Sequence, residues 1–309
     1  MRARHRLLPA LLTATLLLGG CSGDASAPDR PLIAVSTNIL GDVVREVIGA
    51  QADVLVLMPP GSDPHSFEIS AQEAARLRGA DLLVSNGLGL EEGVQHHLDA
   101  AAADGVPRFV AGDHVETVAY TDDEMSGPDP HLWTDPRRML QVLDALEPAL
   151  AALDAVDGPA LHASAETYRQ ELRDLDAHLA ELFATIPASR RALVTNHNVF
   201  GYLAQRYDFT VVGTVLPGGT TLAAPSASDF DDLIQDMATA SVDVVFADVA
   251  QPERLMRVLA DEADVQVEVV PLFTESLSAA TGTGEDSGAA TYLEMMRSNA
   301  DRITAALAS

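Results

Sequence analysis

The sequence predicts an α/β protein of two lobes with mainly parallel sheets, joined by one long backbone helix. Short apolar runs alternate with amphipathic stretches from Pro31 onward, the pattern of strands covered by helices on both faces. The length of 309 residues exceeds the ~100–200 residues of a usual single domain. Tyr168, Leu172, Leu175, Leu179 and Leu182 recur at spacings of 4, 3, 4 and 3, which is one apolar stripe on a long helix over 159–186.

The elements follow in order. LIAVST (32–37) reads as a strand, and Val43, Val44 and Val47 mark the helix after it. VLVLMP (54–59) is the next strand. Ser70 and Glu73 form a capping box that opens a helix burying Ala74, Ala75 and Leu77. DLLVSN (81–86) and RFVA (108–111) are further strands. Asp135-Pro136 supplies an N-cap and a proline at the first helical position, starting a helix toward Leu150. Beyond the long helix, ALVTN (192–196), TVVGTV (210–215), VDVVFA (242–247) and VEVVPL (267–272) read as strands. PSASDFDDLIQDM and QPERLMRVLADEA read as helices between them. The expected division is a lobe over 32–157, a linking helix over 158–187 and a second lobe over 188–309.

The first thirty-one residues are expected to lie outside both lobes. Arg2, Arg4 and Arg6 precede a short apolar run, Leu7–Leu18, as in a signal peptide over 1–20. That run is too short for a typical span of about 20 residues. Small residues then lead into Cys21, the placement of a lipidated cysteine, and 21–31 reads as a lipidated polar tether. Cys21 is the single cysteine, so an intramolecular disulfide is excluded. This places the protein outside the cytoplasm, anchored to the cell membrane or periplasmic.

Charge narrows the partners. The net charge of −27 argues against nucleic acid, whose phosphates need basic patches. Loss of the three leader arginines, with no acid lost, carries it to −30. All 19 basic residues are arginine, so there is no Walker A lysine and no Schiff-base lysine. Any coupled ATP hydrolysis belongs to another chain.

The tripeptide Asp-Pro-His occurs twice, as Asp63-Pro64-His65 and Asp129-Pro130-His131. His65 follows the strand at 54–59, and His131 precedes the helix starting at Asp135. His197 follows ALVTN, and Glu275 follows VEVVPLFT. Functional side chains of open α/β sheets gather beyond the carboxyl ends of strands. Three imidazoles and one carboxylate gathered there would make a complete four-ligand metal site. Each proline fixes its own φ and restricts the aspartate before it, which stiffens the ligand's approach. Asp63 or Asp129 could accept an N–H from a neighbouring backbone or ring, and Asn196, beside His197, is a further candidate support. His96, His97, His114, His162 and His178 read as surface or structural residues. GLGLEEG (87–93) lacks the spacing of a dinucleotide loop.

These stretches carry a resemblance. LMPPGSDPHSFEISAQEAARLRGADLLVSNGLGLE, DPHLWTDPRRM, TNHNVFGYLAQRYDF and PLFTESLS followed by YLEMMRSN together span almost all of 32–309. The chain resembles the cluster 9 (ZnuA/TroA-like) solute-binding lipoproteins of bacterial zinc and manganese ABC importers. The resemblance implies one ion held between two lobes, with ligands on His65, His131, His197 and Glu275. It also implies a membrane permease and its separate ATPase as partners, with a metallochaperone as a candidate loader and a monomer as the expected state. The family's last ligand is usually Asp; Glu275 keeps the charge and adds a methylene. A second departure is Ala224-Pro225-Ser226, where many relatives carry Glu-Pro-Ser.

Three histidines and one carboxylate favour Zn²⁺ over Mn²⁺, which prefers a larger share of oxygen ligands. Manganese-type relatives commonly place a carboxylate where His197 stands. The segment before His131 contains Asp122, Asp123 and Glu124, a candidate cation-collecting loop over 121–126. Two readings of other classes stand beside zinc delivery. A zinc hydrolase needs an open coordination position, which four protein ligands do not leave. A surface adhesin needs a binding module, and none is visible apart from the two lobes.

Overall fold

The computed structural model describes residues 30–120, 127–263, 265–279 and 288–308. The leader, Cys21 and the acidic residues Asp122, Asp123 and Glu124 lie outside the described residues. Two four-stranded sheets, every pairing parallel, form the lobes. The first sheet runs β2-β1-β3-β4, with β1 Leu32–Val35, β2 Asp53–Val56, β3 Leu82–Ser85 and β4 Arg108–Val110. The second runs β6-β5-β7-β8, with β5 Ala192–Thr195, β6 Thr210–Thr214, β7 Val244–Asp248 and β8 Glu268–Leu272. The two orders are equivalent, so each lobe has its switch between strands of opposite winding at the same place. Such a point opens a crevice beyond the strand ends.

The strands are shorter than the apolar runs that announce them. LIAVST and VLVLMP both leave their sheet at Val35 and Val56, and their last residues become the loops above it. Those loops stay ordered through backbone pairing: Leu57 donates to Val35 and Met58 to Ser36.

The helices begin where side chains satisfy free amides. Thr37 caps α1 (Asn38–Ile48), and Ser70 and Glu73 form the expected capping box of α2 (Ala71–Leu77). Ala74 and Leu77 are buried, but Ala75 faces solvent; one turn of so short a helix turns only a narrow stripe inward. Then come α3 (Gln95–Ala103) and α4 (Pro136–Ala151), the latter capped by Asp135 with Pro136 at its first position. Helix α5, Gly158–Phe183, is the long helix; Asp157 caps it. Its stripe ends on Phe183, with Leu182 only partly buried. In the second lobe lie α6 (Gly201–Tyr207), α7 (Ala227–Ala240), α8 (Arg254–Glu262) and α9 (Tyr292–Leu307).

One core joins the lobes. Helix α5 packs against α1, α4 and α9. Leu172, Leu175 and Leu179 share a continuous apolar cluster with Ile33 of the first sheet and Phe246 of the second. Each sheet has a separate cluster on its other face. Charged ties reinforce the seam: Asp176 of α5 accepts from Arg137 of α4 and from Arg206 and Tyr207 of α6. No helix among the described residues is long and apolar enough to cross a membrane.

Leu172 is fully buried at this junction. Leu172→Ala is expected to destabilise the metal-free protein by about 2–5 kcal/mol, through lost transfer energy and a cavity. Urea denaturation checks it; an unchanged midpoint would show that α5 does not carry the joint core.

Candidate metal centre

His65, His131, His197 and Glu275 come together in the seam between the lobes, each at most 1% exposed. Glu275 Oε1 lies 3.0 Å from His65 Nε2, 3.4 Å from His131 Nε2 and 3.2 Å from His197 Nε2. His131 Nε2 lies 3.4 Å from the Nε2 atoms of both His65 and His197. All four donor atoms fall within 4.8 Å of one another. A tetrahedral zinc ion with bonds of about 2.0–2.1 Å spaces its ligands about 3.3 Å apart, close to the 3.0–3.4 Å separations that Glu275 Oε1 and His131 Nε2 make.

Short-range chemistry aims each ring. Asp129 Oδ1 accepts both the backbone N–H of His131, at 2.8 Å, and its ring Nδ1, at 2.7 Å. The Asp-Pro-His turn therefore fixes the tautomer that turns Nε2 toward the centre. Asp63 works differently: it accepts the backbone N–H of His65, at 2.9 Å, and the hydroxyl of Ser66, and orders the turn rather than the ring. Nδ1 of His65 has no hydrogen-bond partner among the described residues; the Glu92 carboxylate is 4.0 Å away. Asn196 does not hold the ring of His197. Its Oδ1 accepts the backbone N–H of Asp248 at 2.7 Å, tying the end of β5 to the end of β7.

The segment carrying Glu275 is locked to the opposite lobe on both sides. Trp133 Nε1 donates to Thr274 O at 2.8 Å. Ser276 Oγ accepts from Asn38 Nδ2 at 2.7 Å, and Leu277 N donates to Asn38 Oδ1 at 3.0 Å. Gly61 N donates to Ser276 Oγ at 2.8 Å, beside the first Asp-Pro-His turn. Tyr202 Oη donates to Asp129 O at 2.7 Å, bringing α6 against the second turn. Gly201, which opens α6, allows that approach: a Cβ there would collide with Asp129 Oδ2.

Two buried acids escaped the reading of the sequence. Glu91 accepts from Ser36 Oγ and from the backbone of Asn86 and Gly87, fastening the ends of β1 and β3 beneath the site. Asp248 ends β7, and its Oδ2 has no hydrogen-bond partner among the described residues. Burial, with the Glu275 charge adding, pushes it up to about 7. Its place at a strand's carboxyl end was the available signal. Histidines 96, 97, 114, 162 and 178 all lie away from this cluster. His96 and His97 lie against each other, tilted, on α3, His114 stacks on Phe109, and His162 pairs with Glu147.

The field within the site is that of an anion among imidazoles. Burial alone would raise Glu275, but the His197, His131 and His65 rings hold it well below the usual carboxylate range. Burial disfavours the imidazolium of His131; the Asp129 carboxylate, by charge and hydrogen bond, and Glu275 outweigh it, and the ring is raised to about 9. Near neutrality the metal-free site therefore holds a proton on His131 that an incoming cation must displace.

A two-lobed parallel α/β protein with a buried, shared donor set is what fold and site define. The chain belongs to the family described as zinc-uptake complex component A, periplasmic (ZnuA), whose model matches residues 33–306. It is 30% identical to the zinc-binding protein TroA of Treponema pallidum, over 99% of each chain. It is 26% identical to the manganese-binding lipoprotein MntA of Halalkalibacterium halodurans, over 96% of each. Among solved structures, the periplasmic zinc-binding protein TroA of Treponema pallidum superposes with a TM-score of 0.82 at 27% identity, covering 91% of this chain and all of that one. The manganese-bound periplasmic metal-binding protein of Candidatus Liberibacter asiaticus, 22% identical, shares the fold at a TM-score of 0.77, over 90% of this chain and all of that one.

With the free-site value of His131 near 9, affinity for a divalent ion should fall as pH drops below 9, about tenfold per unit for this one proton. Calorimetry at pH 7 in two buffers of different ionisation enthalpy should read release of about one proton per ion from His131. No buffer dependence would contradict a protonated His131.

Proposed function

We propose that this protein captures Zn²⁺ outside the cytoplasm and delivers it to a membrane permease driven by a separate ATPase subunit. One observation carries the reading: His65 Nε2, His131 Nε2, His197 Nε2 and Glu275 Oε1 converge, buried, from loops of both lobes. Three imidazoles with one carboxylate oxygen suit zinc better than manganese, which favours oxygen-rich shells and higher coordination. The likeness to a zinc-binding relative at 30% identity supports the same ion.

In this reading the four side chains ligate directly, Asp129 orients His131, and Asp63 and Asn196 hold the loops that carry His65 and His197. The protein acts as a monomeric carrier rather than an enzyme, because four protein ligands leave no position for a reacting water. Cys21 carries the lipid anchor, and residues 21–31 tether the lobes to the membrane. The family's importer relatives support a permease and ATPase as partners, with a loading chaperone as a further candidate.

Manganese is the second reading, and one atom favours it. Glu275 Oε2 is buried with no hydrogen-bond partner among the described residues, so it can add a second oxygen to the ion. A manganese-binding relative at 26% identity points the same way.

Zn²⁺ at a hundredfold excess over its Kd should stabilise the folded protein by about 2.7 kcal/mol, seen as a rise in Tm. His197→Ala should remove most of that rise. Metal analysis of protein purified without added metal, followed by competition between Zn²⁺ and Mn²⁺, separates the two ions. Displacement of bound Zn²⁺ by equimolar Mn²⁺ would reverse the assignment.

A further inference from the structure

The connection between β6 and α7, residues 215–226, is a long stretch without helix or strand, and it crosses the seam. Among the described residues, two hydrogen bonds tie it to the first lobe. Thr221 Oγ1 donates to Asp63 Oδ2 at 2.5 Å, and Tyr120 Oη donates to Gly219 O at 3.3 Å. Glycine is needed at the second point, because a Cβ on Gly219 would collide with the Tyr120 ring and hydroxyl. Gly218 beside it holds φ +89°, a backbone region glycine enters freely.

The first point matters more, because Asp63 belongs to the turn that presents His65. That turn is complete without outside help: Asp63 Oδ1 takes the His65 N–H, and Oδ2 takes the Ser66 hydroxyl. What Thr221 adds is a charge-assisted bond from the opposite lobe to the base of a proposed ligand turn. It is not one of the four clustered residues. The sequence gives no warning of it, since Thr221 is 158 residues from Asp63.

We propose that Thr221 is a positioning residue for metal retention: it braces the Asp63–His65 turn from across the seam and slows escape of the ion. The proposal rests on the metal-binding reading above. An ion leaves a sealed four-ligand site only after a ligand turn swings away. For His65 that swing must break the Thr221–Asp63 bond. A hydrogen bond to a charged acceptor that is lost in the opening step is expected to change the escape rate by about tenfold.

The test loads wild type, Thr221→Val and Thr221→Ser with Zn²⁺ and follows release into a chelator by stopped flow. Valine keeps the shape and deletes the donor; serine keeps the donor. Thr221→Val should release Zn²⁺ about tenfold faster than wild type, and Thr221→Ser should stay within about twofold of it. Equal rates for valine and wild type would overturn the brace, as would serine behaving like valine. A wild-type protein that retains neither Zn²⁺ nor Mn²⁺ would refute the metal-binding reading instead, a separate outcome. Tyr120→Phe removes the other tie and should speed release by a smaller factor, because its acceptor is a neutral carbonyl.

Discussion

The whole arrangement depends on a carboxylate and three imidazoles being held against one another in a buried seam. Glu275 is buried, charged, and surrounded by rings whose Nε2 atoms all face its Oε1. Buried groups of this kind are tolerated only when something satisfies them. A proton can do so in part, and His131 is the place for it. On the proposed function, a divalent ion does so for all four at once. The site is therefore least satisfied when empty, and that deficit is a source of affinity no single ligand could supply.

Holding such a cluster together needs a frame that resists its internal strain, and the seam provides one. The Glu275 strand end is bonded to the first lobe on both flanks, through Trp133, Asn38 and Gly61. Behind it, α5 places one apolar cluster across both sheets, so a wide hinge motion would expose apolar surface. The second-lobe helix α9 is tied to the first lobe as well, since Asp42 of α1 accepts the backbone N–H of Tyr292. Loops pinned across the seam by these bonds make a preorganised site, in which little ordering remains to be done on binding.

Much of this was legible in the residues. The alternation of apolar runs gave the eight strands of the described residues, because parallel strands are buried on both faces and leave continuous apolar signatures. The Asp-Pro-His repeat pointed to two of the four residues that converge, and the strand-end rule to the other two. Helices α6 and α9 did not emerge from the periodicity. Helix α6 is seven residues long, too short for a stripe to repeat, and α9 is interrupted by the polar Asn299, which serves the backbone of Phe273. The supporting residues were harder still. Asp63 accepts a backbone N–H and two hydroxyls, Asn196 accepts a backbone N–H, and of the three expected supports Asp129 alone bonds an imidazole. Local sequence shows that an acid is near a histidine, not which atom it reaches. Contacts such as Thr221–Asp63 and Asn38–Ser276 are set by how the lobes face each other, and nothing within either segment encodes that.

Sealing the site creates the opposite difficulty, release. With every donor at most 1% exposed, an ion cannot leave by ligand exchange with bulk water while the seam is closed. The two halves of the frame differ in what opening costs. Separating α5 from α1, α4 and α9 would disrupt the shared core, whereas lifting the His65 turn breaks local polar contacts that water can replace. The cheaper motion is the local one. A partner that grips the loops above the sheets, rather than prising the lobes apart, therefore has the smaller barrier to overcome. The loop at 215–226 meets that description on the second lobe, and Leu222 stands more than half exposed upon it. Retention and delivery then become two states of the same few bonds across the seam, with the helix and its core left undisturbed.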